Sequence, residues 1–105
     1  MAEEVTWAEE AIEELDEIAR YIAEDSVDAA MDVVTRIRAA AIELLRFPNM
    51  GPVVPEWNQQ DFRQRILYSY RLIYHVLPDR IEVIAVWHGA RLLSSSVRRR
   101  RWRPK

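Results

Sequence analysis

Apolar residues recur at two different periods along this chain. In "AEEAIEELDEIARYIAEDS" the positions Ala8, Ala11, Ile12, Leu15, Ile18, Ala19 and Ile22 fall three and four residues apart. That spacing lines one face of an α-helix, and acids fill the other face. In "DAAMDVVTRIRAAAIELLRF" a second stripe runs through Ala30, Val34, Ile37, Ala41 and Leu44. Ser26 or Asp28 can cap this second helix, and Phe47-Pro48 predicts its end. Two amphipathic helices with a joint at Asp25-Ser26 predict a helical hairpin.

The period changes to two after residue 61. "FRQRILY", "YRLIYHVL" and "RIEVIAVWH" alternate as half-buried strands do, and "EEVTW" near the start predicts a further short strand. Pro78-Asp79 is a turn pair, because proline presets φ for the first turn residue. A two-residue loop there places Leu77 opposite Arg80. Tyr70, Leu72, Tyr74 and Val76 then share a face with Ile81, Val83, Ala85 and Trp87. Arg71, Ile73, His75, Glu82, Ile84, Val86 and His88 take the other face. The segment "PNMGPVVPEW" holds three of the five prolines and reads as a loop. The order predicts an α+β fold: an N-terminal strand, a helical hairpin, then an antiparallel three-stranded sheet covered on one side.

Composition narrows the class. A chain of 105 residues predicts one domain, residues 1–105, with a basic tail from about 94–105. There is no cysteine, so disulfides and thiolate zinc sites are excluded. Two histidines, His75 and His88, make no zinc pattern, and no cofactor motif is present. No apolar run approaches the ~20 residues of a membrane span, and the acidic N-terminus lacks a secretory core. These features predict a cytoplasmic protein with no membrane partner. The net charge of −2 conceals a split. Residues 1–45 carry 13 acids against 3 bases, and residues 46–105 carry 4 acids against 12 bases. The basic half raises the expectation of an anionic partner.

Several residues carry candidate chemistry, each with a plainer alternative. Arg71 can grip a phosphate bidentately, or pair with an acid inside the sheet. His88 carries an imidazole, a side-chain type suited to general acid or base work, or can be a hydrogen-bonded strand-end residue. His75 sits opposite Glu82 and reads as a structural cross-strand pair. Glu56 is a possible base in the loop. Arg63 and Arg65 either extend a basic surface with Arg71 or belong to an ordinary polar face. The ending "RRRRWRPK" sets five arginines around one tryptophan, a composition suited to phosphate contact with stacking.

In order and motif the chain resembles the RelE/ParE superfamily of toxins from type II toxin–antitoxin modules. The residues that carry the resemblance are "VTWAEEAIEELDEIARYIAEDS", "RFPNMGPVVPEW" and "FRQRILYSYRLIYHVLPDRIEVIAVWHGAR". The resemblance implies one of two activities. RelE-like members cut mRNA in the ribosome; ParE-like members inhibit DNA gyrase. The endings "PE", "YRLIY" and "VWHGAR" look more like the ParE branch. The expected function is therefore a bacterial toxin that binds gyrase or the gyrase–DNA complex without catalysis. Its expected contacts are Arg63, Arg65, Arg71, His88, Arg91, Arg98, Arg99, Arg100 and Arg101. The alternative is a ribosome-dependent mRNA endonuclease using Arg71, His88 and Glu56. Either activity implies a cognate antitoxin, ParD-like or similar. Val33, Ala40 and Phe47 flank the second helical stripe and Trp57 follows in the loop, so these four are the expected antitoxin contacts.

Overall fold

The computed structural model of the chain describes residues 3–88. The elements are β1 (Glu4–Trp7), α1 (Glu9–Ala23), α2 (Val27–Glu43), β2 (Phe62–Leu67), β3 (Tyr70–Val76) and β4 (Arg80–His88). All six were legible in the periodicity. Ser26 is the cap of α2: its Oγ accepts from the Ala29 N–H at 3.1 Å. α2 stops at Glu43, earlier than the Phe47-Pro48 boundary. Leu44, Leu45 and Arg46 donate three residues back, so the last turn tightens before the proline is reached.

β2, β3 and β4 form an antiparallel meander, and β1 joins it as a fourth strand in the order β1-β4-β3-β2. β1 lies parallel to β4, from Glu4 opposite Arg80 to Trp7 opposite Val83. The helical hairpin packs on one face. Ala11, Leu15, Ile37, Ala41 and Leu44 meet Leu72, Tyr74, Ile81, Val83 and Val86 there.

The β3–β4 pairing begins as expected. Leu77 donates to the Arg80 carbonyl at 2.9 Å, and Val76 lies opposite Ile81. The register then shifts. Tyr74 faces Val83, but Ile73 faces Ala85, so Ile84 is an extra residue on β4. Such a bulge exchanges the faces of everything beyond it. Val86 moves to the helix side, and Ala85 and Trp87 move to the opposite side, reversing the expected assignment of all three.

The second face is not bare, contrary to the expectation of a sheet covered on one side. Val54 and Trp57, from the loop between α2 and β2, pack there over Phe62, Ile73, Ile84, Ala85 and Trp87. The loop is held by paired backbone groups: Val54 N–H to Phe62 O at 2.9 Å and Gln64 N–H to Pro52 O at 3.0 Å. The buried Tyr74 hydroxyl ties it further, donating to Pro48 O at 2.9 Å and accepting from Gly51 N–H at 3.2 Å. Burial pushes the Tyr74 phenol above its ordinary range, so it stays protonated in these bonds.

β1 covers only the first half of β4. Beyond it, the Glu14 carboxylate of α1 accepts from the Val86 backbone N–H at 3.2 Å and from the Trp87 indole N–H. Replacing Glu14 with Ala leaves two part-buried donors without this acceptor. The expected cost is about 2 kcal/mol, read as a lower urea midpoint with an unchanged slope.

Candidate functional site

The strand arginines divide between the two faces of the sheet. β2 pairs with β3 from Phe62 opposite His75 to Leu67 opposite Tyr70. Arg63 and Arg65 therefore point to the helix side, and Arg71, opposite Ile66, points to the other. The expected shared basic surface of Arg63, Arg65 and Arg71 does not form. The two-residue period separates them, and each has its own work.

Arg63 holds the loop. Its guanidinium donates to Gly51 O at 2.9 Å, Gln60 O at 3.1 Å and Gln60 Oε1 at 3.2 Å. Arg65 reaches under α2, donating to Ala40 O at 3.1 Å and pairing with Glu43 at 2.6 Å. One arginine thus satisfies a helix C-terminal carbonyl and an acid of the same turn.

Arg71 is 8% exposed and is the only buried charged residue among those described. Its Nη1 and Nη2 donate to the two oxygens of Glu56 at 3.0 and 3.1 Å, a parallel fork. Its Nε donates to Gln64 Oε1 at 3.0 Å, and Nη2 also reaches that oxygen. The pair anchors the loop onto the second face of the sheet. Of the alternatives open in the sequence, the ion pair to an acid is the one present.

The expected meeting of Arg71 and His88 does not occur. The Ile84 bulge places Trp87 opposite Arg71 and His88 opposite Tyr70. His88 lies edge-on to the Tyr70 ring, with centroids 5.9 Å apart. The candidate RNase set is thereby split: Arg71 and Glu56 lie together on one face, and His88 on the other. His75 keeps its register opposite Glu82, but its side chain bonds Asp61 at 2.9 Å and stacks on Phe62. Arg91, Arg98, Arg99, Arg100 and Arg101 lie outside the described residues. No group of acids and histidines suited to a metal ion occurs among the described residues. No helix among them is long and apolar enough to cross a membrane.

The four expected antitoxin contacts do not line one groove. Ala40 is buried, Val33 packs into the helix-side core, and Trp57 packs edge-on to Phe62 on the far face. Phe47 is exposed. An apolar groove of about 390 Å³ does open elsewhere on the hairpin, lined by Ala19, Ala23, Val27, Ala30, Met31 and Val34. Val27 and Met31 are more than 60% exposed there. The signal was in the sequence: Val27 and Met31 are apolar positions one helical turn apart that the main stripe does not use.

Sequence reasoning also passed over Ile66 and Tyr68, both more than half exposed at the β2–β3 tip. Tyr68 has φ 54°, a left-handed conformation that a side chain disfavours by roughly 1 kcal/mol. Openings of about 470 and 430 Å³ flank these two residues on either side of the sheet.

Comparison with known proteins follows the same architecture. Residues 5–93 match the family described as "ParE toxin of type II toxin-antitoxin system, parDE". A protein of Sinorhizobium fredii named "Putative toxin Y4kP" is 32% identical over 87 residues, covering 81% of this chain and 86% of that protein. A solved structure titled "Chromosomal ParDE TA system from P. aeruginosa" superposes with a TM-score of 0.67 at 19% identity. It covers 81% of this chain and 94% of its own, and shares the fold. With a family match spanning both helices, all four strands and the loop that Arg71 anchors, this chain belongs to the ParE toxins of type II toxin–antitoxin systems.

Proposed function

We propose that this protein arrests growth by binding DNA gyrase or the gyrase–DNA complex, without cutting nucleic acid, and that a ParD-like antitoxin neutralises it. The observation that carries the reading is the condition of Arg71. An arginine that stabilises a scissile phosphate needs open donors facing solvent. Here the fork is closed by a carboxylate and an amide oxygen in a site 8% exposed. Of the two candidate proton-moving groups, His88 lies across the sheet, and the Glu56 carboxylate is itself held by the Arg71 fork. Membership in the parDE family supports gyrase over mRNA as the target. The contact surface then falls to the basic C-terminal residues Arg91, Arg98, Arg99, Arg100 and Arg101, whose charge suits a nucleoprotein target.

The apolar groove between α1 and α2 supports the antitoxin half of the proposal. Ala19, Ala23 and Ala30 line it, small residues against which an amphipathic helix can lie. A translated reporter mRNA in a ribosome-containing extract is expected to stay intact when the purified protein is added. Discrete ribosome-dependent cuts, lost in Arg71→Ala, would favour the endonuclease reading instead.

A further inference from the structure

We propose that Met31 is a site of reversible oxidation by hydroperoxides, and that its sulfoxide keeps the antitoxin off the groove between α1 and α2. The second half of this statement rests on the groove binding proposed above. The chain has no cysteine, so three methionines, Met1, Met31 and Met50, hold all of its sulfur. Met1 lies outside the described residues. Met50 is 46% exposed and sits in the loop after α2, where its N–H donates to Phe47 O at 3.1 Å. Met31 is 64% exposed on the second turn of α2. It lines the groove together with Val27, one turn before it, and Thr35, one turn after. Met31 is therefore the more open of the two described thioethers, and the one placed where a partner is bound. It belongs to neither core cluster, so a change at its sulfur leaves the packing beneath the helices in place.

The chemistry needs no neighbouring base. A lone pair of the Met31 sulfur attacks one oxygen of hydrogen peroxide, the O–O bond breaks, and the other oxygen leaves with both protons as water. The sulfur loses two electrons and the peroxide is reduced by them. The product is polar and chiral where the thioether was apolar and pliable. An apolar helix face pressed onto Met31 offers the S–O group no donor, so docking strips that group of water without replacing it. An antitoxin already seated covers the sulfur, so the chain that oxidises is the free one. Peroxide thereby shifts the balance toward toxin that is not neutralised, and a methionine sulfoxide reductase reverses the shift.

The test compares the full chain with Met31→Leu, which stays apolar and cannot take the oxygen, and with Met31→Gln, whose polar side chain stands in for the sulfoxide. Leucine and glutamine both suit an exposed helix position. Each protein is held in hydrogen peroxide, quenched with catalase, mapped by peptide mass and titrated calorimetrically with a ParD-like antitoxin. The Met31 peptide is expected to gain one oxygen, and the affinity to fall about tenfold or more. Met31→Leu is expected to keep its affinity through the same treatment, and Met31→Gln to bind weakly without it. Methionine sulfoxide reductases A and B together are expected to restore the oxidised chain. Three outcomes overturn the proposal: oxygen gained at Met50 but not at Met31, unchanged affinity of a chain oxidised at Met31, or an equal loss in Met31→Leu. Val27→Asp separates this proposal from the reading beneath it, because it sets a charge in the groove on a first helical turn that accepts an acid. If Val27→Asp binds the antitoxin as tightly as the unaltered chain, the groove reading fails. If Val27→Asp binds weakly and oxidation of Met31 changes nothing, the redox proposal alone fails.

Discussion

Glu56→Ala is expected to destabilise the fold by about 3 kcal/mol. The acid is 28% exposed at its side chain, and a reader of the sequence would class it as an ordinary loop residue. Its partner is not ordinary. Arg71 is nearly buried, and removing the carboxylate leaves its guanidinium charge with Gln64 as the remaining acceptor. Breaking such a pair from one side costs ~3–5 kcal/mol when both ions are fully buried. The lower end applies because water reaches Glu56 and Gln64 still binds. For a domain this size the change corresponds to a fall of roughly 10–20 °C in melting temperature. The double variant Glu56→Leu with Arg71→Met is expected to recover most of the loss, since an apolar pair of similar volume avoids the desolvation of two charges. The double variant also separates two roles. If Arg71 is scaffold, it remains toxic on induction; if Arg71 is the phosphate grip of an endonuclease, it is folded and harmless.

Gly51→Ala is the second large effect. A Cβ at Gly51 would lie 2.0 Å from the Gln64 carbonyl oxygen and 3.0 Å from the Tyr74 hydroxyl. The first neighbour is strand backbone, which cannot swing aside. The loop must lift from β2, and the Gly51 and Pro48 bonds to Tyr74 and the Gln64–Pro52 bond go with it. The expected cost is about 3 kcal/mol, at the upper end for overpacking. Lifting the loop also exposes the Glu56–Arg71 pair to water. Amide exchange in Val53, Val54 and Trp57 should therefore accelerate in Gly51→Ala before global unfolding does. Unchanged exchange there, with a loss below about 1 kcal/mol, would show that the loop adjusts without leaving the strand.

The elements were legible because each carries a strong period. The helix stripes and the strand alternation placed all six, and Pro78-Asp79 set the β3–β4 turn. Three features were not legible, each for a physical reason. β1 beside β4 is a pairing across most of the chain, and no local pattern encodes a neighbour so distant. The bulge at Ile84 is hidden because the apolar run "VIAVW" satisfies either face. In "RIEVIAVWH" both Ile84 and Ala85 are apolar, so a one-residue slip leaves no polar residue stranded in the core. That slip decides the fate of the site, separating His88 from Arg71. Third, Gly51, Glu56 and Ala40, which hold Arg63, Arg71 and Arg65, lie 12, 15 and 25 residues away from them in sequence, beyond the reach of any local periodicity. Residue type singled out these arginines; only packing showed the internal partners of each.

The measurement that tests the central claim most directly is a supercoiling assay with purified gyrase, relaxed plasmid and the full chain. The account predicts loss of supercoiling or accumulation of cleaved plasmid, reversed by a ParD-like antitoxin and unaffected by Glu56→Leu with Arg71→Met. Full supercoiling at a large excess of folded protein, with growth arrest still seen on induction, would contradict it.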